Sequence, residues 1–202
     1  TDLKSLAIEE NVLVWFGHSS YFMQLDQKTY LVDPVFSGNA SPVPGTNKAF
    51  AGTDIYQAED FPKIDYLIIT HDHYDHLDYP TIIHLKEKAE KFIVGLGVGN
   101  HLKKWGVPED KIIELNWYES TQQGTDLSIH CEPARHFSGR GFSRNNTLWA
   151  SFLIKSPSMT IYVGGDSGYD SHFAAIGKKY ATIDFAILDN GQYNAAWRAV
   201  HN

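Results

Sequence analysis

The chain has 202 residues, of which 43% are hydrophobic and 20% charged, so it is long enough for one compact domain with a sizeable core. Seventeen basic and 24 acidic residues give a net charge of −7, which disfavours nucleic acid as a partner because its phosphates would be repelled. No apolar run approaches the roughly 18 residues of a membrane-spanning helix. The single cysteine, Cys131, is expected to be a buried apolar residue, and its lack of a disulfide partner fits the reducing cytoplasm.

The first half of the chain predicts strands and then a helix. Branched and aromatic residues favour strands at 12–16, 21–25 and 29–32, the last two joined by a hairpin turn. Residues 33–60 contain three prolines and three glycines, and we expect a long functional loop there. The continuous apolar run at 66–70 predicts a strand covered on both faces, and helical spacing follows over 80–89.

The second half alternates between the two element types. Strands are predicted at 92–94, 111–115, 126–131, 148–154, 160–163 and 183–188. Helices are predicted at 99–105 and 171–180, and residues 132–147 are expected to be irregular. This order of elements predicts an α+β fold in which two sheets pack face to face with helices outside.

Residues 71–78 read HDHYDHLD, which places three histidines and three aspartates within eight positions. In a helix, side chains two positions apart diverge by some 200°, so His71 and His73 can converge only if this segment is a turn. Asp75 and His76 would then point towards a second position. Three imidazoles this close together would repel one another on protonation, whereas first-row metals require such clustering. The spacing therefore predicts two neighbouring metal ions.

The segment THDHYDHLD resembles the signature loop of the metallo-β-lactamase fold hydrolases. The segments GHSSYFMQLD, LVDPVF, SPVPG, PARHFSGRGFSRNNTLWASF and GGDSGYDSHF extend the resemblance from about residue 11 to the end of the chain. Together they resemble the branch that contains the N-acyl-phosphatidylethanolamine-hydrolysing phospholipase D, with the ascorbate-6-phosphate lactonase-like proteins as neighbours. The resemblance implies a four-layer αβ/βα sandwich, made of two mixed β-sheets with helices outside, and a binuclear site at one edge.

The resemblance also implies a set of metal ligands: His71, His73 and His136 for the first metal, Asp75 and His76 for the second, and Asp166 shared by both. The residues agree with this assignment, because His136 lies in the irregular stretch after a strand and Asp166 follows another strand through two glycines. Asp75 and Asp166 are the expected catalytic residues, which would hold a metal-bridged hydroxide or relay its proton. Ligation by histidine and aspartate alone predicts two divalent ions, with zinc as the first expectation and manganese or iron as alternatives.

The family completes its second metal site with a histidine on a further C-terminal strand. The chain ends at Asn202, so we expect a single domain over residues 1–202 that lacks its C-terminal strand and helix. The closing segment GQYNAAWRAVHN resembles the part that precedes this strand, where His201 matches a residue lining the substrate pocket. The alternative is that His201 itself substitutes for the absent ligand.

Several further residues are expected to support the site. By the family analogy, Asp33 orients a ligand histidine, and the alternative is an ordinary residue in the extended backbone that usually precedes proline. His18 is expected to line the substrate pocket or to support a ligand. Arg140 matches a position where a guanidinium could bind a phosphate or carboxylate, and the alternative is an exposed arginine. The glycine loop at 95–100 lacks the sequence of a phosphate-binding loop, and four histidines match no ligand position: His84, His101, His130 and His172.

The resemblance thus implies a metal-dependent hydrolase that acts on a phosphodiester of a small-molecule or lipid-like substrate. A lactonase or carboxylic ester hydrolase of the same fold is the first alternative. A catalytically silent domain that binds metal or a partner is the second. The sequence leaves the oligomeric state open.

Overall fold

The computed structural model describes residues 1–43, 45–53 and 55–190. Six strands of the described chain form a first sheet, with β1 (Val12–Gly17), β2 (Ser20–Leu25), β3 (Lys28–Val32), β4 (Ile64–Ile69), β5 (Ala89–Gly95) and β6 (Ile112–Leu115) in sequence order. The first three strands run antiparallel, whereas β3 to β6 run parallel. The parallel strands therefore deliver the segments that follow them to one edge of the sheet.

The second half of the described chain forms another mixed sheet. Its strands are β7 (Ser120–Gln123), β8 (Leu127–Glu132), β11 (Ser151–Lys155), β12 (Thr160–Val163) and β13 (Phe185–Ile187), in the spatial order β13-β12-β11-β8-β7. A two-residue pair, β9 (Gly139–Arg140) and β10 (Ser143–Arg144), forms a small hairpin between β8 and β11. The described helices are α1 (Tyr79–Leu85), α2 (Gly99–Lys104) and α3 (Ser171–Lys179), with short 3-10 turns at Ala58–Asp60 and Glu109–Lys111.

Three apolar clusters divide the molecule into four layers. One cluster joins Ile82 of α1 and Leu102 of α2 to Leu67 and Phe92 on the first sheet. A second lies between the sheets and includes Ile68, Phe152 and Ile129, and a third packs Ile176 of α3 against Tyr162. Helices therefore cover the outer face of each sheet, which confirms the predicted α+β sandwich.

The predicted hairpin between residues 25 and 28 is confirmed and has a local cause. Leu25 pairs with Lys28, and the two residues between them, Asp26 and Gln27, have positive φ values of 48° and 64°. Two positive φ values give a tight turn whose twist matches the flanking strands. The described residues between 33 and 60 are irregular as predicted, apart from a bridge between Asn39 and Lys48 and one 3-10 turn.

Several elements differ from the sequence prediction, in their bounds or because they were not predicted. The helix predicted at 80–89 ends at Leu85, and Ala89 already begins β5. The strand predicted at 148–154 begins only at Ser151. The reason is that Leu148 and Ala150 donate their backbone N–H groups to the carbonyls of Leu96 and Thr70, which directly follow β5 and β4 of the first sheet. Strand β7, of sequence STQQ, was not predicted because it has no apolar residue to mark a buried face. Among the described helices, none has the length and apolar character needed to span a membrane.

Candidate metal centre

The HDHYDHLD segment directly follows β4, and it is a turn as predicted. The backbone N–H groups of His76 and Leu77 both donate to the carbonyl of His73, at 3.1 and 2.8 Å. This compact turn presents its histidines on one side, at the edge where the parallel strands end. The rigid sheet thus positions a loop that carries most of the predicted ligands.

A first group of ligand atoms is formed by three histidines. Nε2 of His71 and Nε2 of His136 lie 2.9 and 3.1 Å from Nδ1 of His73. Burial lowers the pKa of His71 well below its usual value, and the neighbouring histidines His76, His136 and His73 lower it further. A neutral imidazole has the free electron pair that a metal needs, so His71 is suited to be a ligand at neutral pH.

The second group centres on His76 and Asp166. Nε2 of His76 lies 3.2 Å from Oδ1 of Asp166 and 4.0 Å from Oδ2 of Asp75. Burial alone would raise the pKa of Asp166, but the charges of His76 and His136 outweigh burial and lower the pKa. Oδ2 of Asp166 also lies 3.9 Å from Nε2 of His136, so its two oxygens face the two groups. This placement is the one that a shared carboxylate requires.

The ligand atoms fit a metal in spacing and in chemistry. Bonds of 2.0–2.2 Å to a tetrahedral ion separate ligand atoms by about 3.3 Å, and the separations above range from 2.9 to 4.0 Å. Nε2 of His76 is fully buried and makes no hydrogen bond of good geometry within the described chain. A buried nitrogen without a well-formed hydrogen bond is costly unless something binds it. The nitrogen and oxygen donors suit zinc, manganese or iron.

Asp33 lies beside His76, which is one of the predicted ligands. Its side chain is 1% exposed, and its Oδ2 lies 2.8 Å from Nδ1 of His76. Asp33 also accepts hydrogen bonds from the backbone N–H and the hydroxyl of Thr70, at 2.8 and 2.7 Å. The alternative of an extended residue before proline is wrong, because φ of Asp33 is 43°. The contact with Nδ1 leaves Nε2 of His76 available to a metal.

Thr70 contributes to the site and was not predicted. The hydroxyl of Thr70 donates to Asp33 and lies 3.0 Å from Nδ1 of His71. Because Asp33 contacts His76, Thr70 connects His71 to His76 through Asp33. The sequence offers only its position, directly before His71, as a signal.

Two glycines bring Asp166 to the cluster. Gly165 has φ of 60°, and a Cβ there would lie 2.9 Å from Cβ of Thr70. A Cβ on Gly164 would lie 2.8 Å from the carbonyl oxygen of Ile187. Only glycine allows this approach, which explains why GG precedes the aspartate.

His18 lies at the turn between β1 and β2, close to the ligands. Its Nε2 is 3.0 Å from Oδ2 of Asp75, and its ring centroid is 5.4 Å from that of His76. It also lines the cavity described below, as predicted for a pocket residue. No local sequence pattern places it against Asp75, which is 57 positions away.

Arg140 is not where an anion clamp was expected. Its Nη1 donates to the backbone carbonyls of Asp72 and Leu77, at 3.0 and 2.7 Å, and its guanidinium lies 4.1 Å from the ring centroid of Tyr74. The side chain is partly buried, so the exposed alternative is wrong as well. Arg140 thus braces the backbone of the histidine loop, and it is absent from the described lining of the cavity.

The other residues singled out in the sequence are those of the glycine loop, Cys131, four further histidines and His201. The N–H groups of Gly97 and Gly99 donate to Oε1 of Glu114, at 2.8 and 2.9 Å, so this glycine loop already holds a carboxylate. Cys131 is fully buried, and burial raises the pKa of its thiol to about 12. The four histidines expected to be surface or packing residues lie outside the groups that could hold a metal: His84, His101, His130 and His172. His201 lies outside the described residues.

A cavity of about 520 Å³ opens onto the cluster at His73, Asp75 and His18. The long loop forms much of its wall, including the exposed ring of Phe50. Lys48 also lines it and is the one cationic side chain, histidines aside, among the lining residues of the described chain. Lys48 was not predicted, and its only sequence signal is a basic residue within a loop of expected function.

A two-sheet sandwich with a cluster of histidines and aspartates at its edge defines a class of metal-binding hydrolase fold. Residues 28–202 match the family model described as a beta-lactamase superfamily domain. The chain therefore belongs to the metallo-β-lactamase fold hydrolase superfamily.

Two relatives carry names that state an activity. The chain is 32% identical to N-acyl-phosphatidylethanolamine-hydrolyzing phospholipase D 1 of Caenorhabditis elegans, over 91% of this chain and 54% of that protein. It is 30% identical to a UPF0173 metal-dependent hydrolase of Caldivirga maquilingensis, over 90% of this chain and 70% of that protein. The crystal structure of Igni18, a metallo hydrolase from Ignicoccus hospitalis, has the same fold, with a TM-score of 0.63 and 23% identity over 86% of this chain and 68% of that one. The chain spans about half the length of several curated relatives that it matches.

Proposed function

We propose that the protein is a metal-dependent hydrolase that cleaves a phosphodiester at the His/Asp cluster. One observation carries this proposal: the two oxygens of Asp166 face His76 and His136, which belong to two adjacent groups of ligand atoms. A carboxylate between two groups is the arrangement of a two-metal hydrolytic site. The names of the Caenorhabditis and Caldivirga relatives support the same class of reaction.

In this proposal the ligands are the predicted set of His71, His73, His136, Asp75, His76 and Asp166. Bound divalent ions lower the pKa of water and stabilise negative charge on a phosphoryl or carbonyl oxygen. Asp33 and Thr70 hold His76 and His71 in the orientation that presents a free ring nitrogen. Asp166 is buried and has a lowered pKa, so it stays ionised, whereas Asp75 lies at the cavity wall within reach of a substrate proton.

The cavity supports an anionic substrate with an apolar part. Phe16, Val35 and Phe50 provide apolar surface, and Lys48 provides a positive charge on the same wall. Lys48 makes no ion pair or hydrogen bond with another residue of the described chain, so its ammonium is available to a phosphate. A neutral lactone or carboxylic ester would leave this charge unused, which is why the phosphodiester is preferred to that alternative.

The test is hydrolysis of bis(p-nitrophenyl) phosphate by the protein loaded in turn with zinc and manganese. Asp166→Ala should reduce turnover at least about 100-fold, because it removes the carboxylate between the two groups. Asp110→Ala, at an exposed position far from the cluster in sequence, is the matched control and should keep full activity. A phenyl ester and a lactone are assayed in parallel.

Loss of phosphodiesterase activity in Asp166→Ala alone would support the proposal. Turnover of the lactone or ester without turnover of the phosphodiester would replace it with the alternative substrate class. No turnover of any of the three by metal-loaded protein, or full activity of Asp166→Ala, would contradict it.

A further inference from the structure

We propose that Arg144 binds a second anionic group of the substrate, a carboxylate or phosphate attached to the phosphodiester that is cleaved. This inference rests on the proposed function and narrows its substrate class to phosphodiesters that carry a further negative charge. It assigns anion binding to a residue that the sequence did not single out, because the guanidinium of Arg140 is used by the histidine loop.

Arg144 lies at the base of the β9–β10 hairpin, next to the metal centre. It pairs with Gly139, which lines the cavity. A Cβ added to Gly139 would lie 3.5 Å from Cγ of Arg144 and 3.8 Å from Nε2 of His73. The stem of Arg144 and a predicted metal ligand therefore lie on two sides of one cavity-lining glycine.

The guanidinium of Arg144 is held over an aromatic ring. Its Cζ lies 5.0 Å from the centroid of the Phe137 ring. That centroid lies 4.6 Å from the ring centroid of His73 and 4.8 Å from that of His136. Stacking on a ring face orients a guanidinium and leaves the N–H groups at its edge free to bind a planar anion. A single aromatic ring thus separates Arg144 from two predicted ligands, within reach of a group attached to a phosphate at the metal centre.

The backbone beside Arg144 is fixed by hydrogen bonds that close the hairpin. The N–H of Asn145 donates to the carbonyl of Ser138 at 2.9 Å, and the N–H of Ser138 donates to Oδ1 of Asn145 at 3.3 Å. The strand that carries Arg144 is therefore ordered before a substrate binds, which lowers the entropy cost of binding.

The guanidinium of Arg144 is exposed and makes no ion pair or hydrogen bond with another residue of the described chain. Arg135 and Arg140, by contrast, both donate to backbone carbonyls. Residues 133–165 contain no acidic residue, although the whole chain has a net charge of −7. Arg144 is therefore available to an anion that comes from outside the described chain, as a bidentate donor.

Arg144 and Lys48 provide positive charge at two separate places. Lys48 lines the cavity itself, whereas Arg144 lies outside the described lining, beside Gly139. Lys48 suits the phosphate within the cavity, and Arg144 suits a second anionic group just outside it. A substrate with one negative charge would leave one of these cations without a partner.

The competing interpretation is that Arg144 is a surface arginine that only stacks on Phe137. The test compares two phosphodiesters that differ only in charge, 4-carboxyphenyl 4-nitrophenyl phosphate and 4-carbamoylphenyl 4-nitrophenyl phosphate. Release of 4-nitrophenolate by the full-length, metal-loaded protein gives kcat and KM for each. We expect KM for the carboxylate to be about 3- to 10-fold lower than KM for the carboxamide, as is typical of a charge-assisted pair at an exposed site.

Substitutions assign this preference to one residue. Arg144→Gln should remove it by raising KM for the carboxylate, because the arginine contacts a group that does not react. Arg144→Lys should keep part of the preference, since it keeps the charge without the planar fork. Lys178→Gln, at an exposed position of α3, removes one positive charge elsewhere and should keep the whole preference.

Other results would overturn the inference and can be told apart from failure of the proposed function. Equal KM values for the two diesters in the unchanged protein would overturn the inference and leave the proposed function intact. A preference that survives in Arg144→Gln would do the same, and its loss in Lys48→Met would assign the anion to Lys48 instead. No turnover of either diester would overturn the proposed function together with this inference. Thermal unfolding of Arg144→Gln should match that of the unchanged protein, which verifies that a raised KM does not come from a damaged fold.

Discussion

Asp33 is buried and combines an unusual backbone conformation with several polar contacts. Its φ of 43° directly before a proline is disfavoured, since that position normally adopts extended backbone. In return, its oxygens accept from Thr70 twice and contact Nδ1 of His76, and its backbone carbonyl accepts from the Ser20 hydroxyl. Such a residue orients its neighbours, and its effect should be seen in the affinity for metal.

Asp33→Asn tests this role because it replaces only the carboxylate with an amide. We expect the affinity for the second ion to fall about 10- to 100-fold, because an amide supports the imidazole of His76 less well than a carboxylate does. The measurement is competition with a metal-buffering chelator, and Asp110→Asn at an exposed position is the control. Unchanged affinity in a folded Asp33→Asn protein would show that the carboxylate has no such role.

At this scale the sequence predicted the dense cluster and missed the isolated residues. His71, His73 and His76 are recognisable because they lie within six positions of a single turn. The contact of His18 with Asp75 spans 57 positions, and no local pattern encodes it. No local pattern predicts the position of Lys48 either, because its place at the cavity depends on how a long loop folds.

Residues outside the predicted set of metal ligands hold the histidine loop in place. Asp72 is buried and accepts the backbone N–H of Gly139 at 2.7 Å, which ties the loop to β9. Arg140 bonds two carbonyls at opposite ends of the same loop and stacks near Tyr74. The β9–β10 hairpin therefore supports the turn, although its sequence suggested substrate binding by Arg140.

Arg140→Lys distinguishes a brace from an anion clamp. A lysine keeps the charge but lacks the planar guanidinium, whose Nη1 reaches both carbonyls and whose face lies over the Tyr74 ring. We therefore expect the free energy of unfolding to fall by about 1–2 kcal/mol. Hydrogen exchange of the amides at 71–78 should become faster, and Arg144→Lys on the exposed strand β10 should change neither quantity. Unchanged stability and exchange, together with a raised KM for an anionic substrate, would restore the clamp interpretation.

Helices and strands could be predicted from the sequence where one of their faces is apolar. The prediction was wrong where contacts with other strands or with the other sheet decide the structure. The strand predicted to start at residue 148 starts at Ser151, because its first backbone N–H groups are used by loops of the first sheet. β7 has no apolar residue, and it becomes a strand only by pairing with β8. Both are tertiary effects that overrule local propensity.

On the scale of the whole molecule, the sandwich assembles one site from segments far apart in the chain. The ends of β3 and β4 bring Asp33 and the histidine loop together through the parallel register of Val32 with Ile68. The second sheet contributes His136 after β8 and Asp166 after β12. Because both sheets supply proposed ligands, metal binding and the packing of the two sheets should stabilise each other. The resemblance of short motifs predicted this architecture, whereas periodicity alone predicted only two sheets with helices outside.

The most direct measurement is an anomalous difference map from crystals of the zinc-loaded protein, with data collected on both sides of the zinc absorption edge. We expect one peak bonded to His71, His73 and His136, and a second bonded to Asp75 and His76, with Asp166 between the two. A map without a peak at this cluster, from crystals shown to contain zinc, would contradict the claim that the cluster is a metal centre.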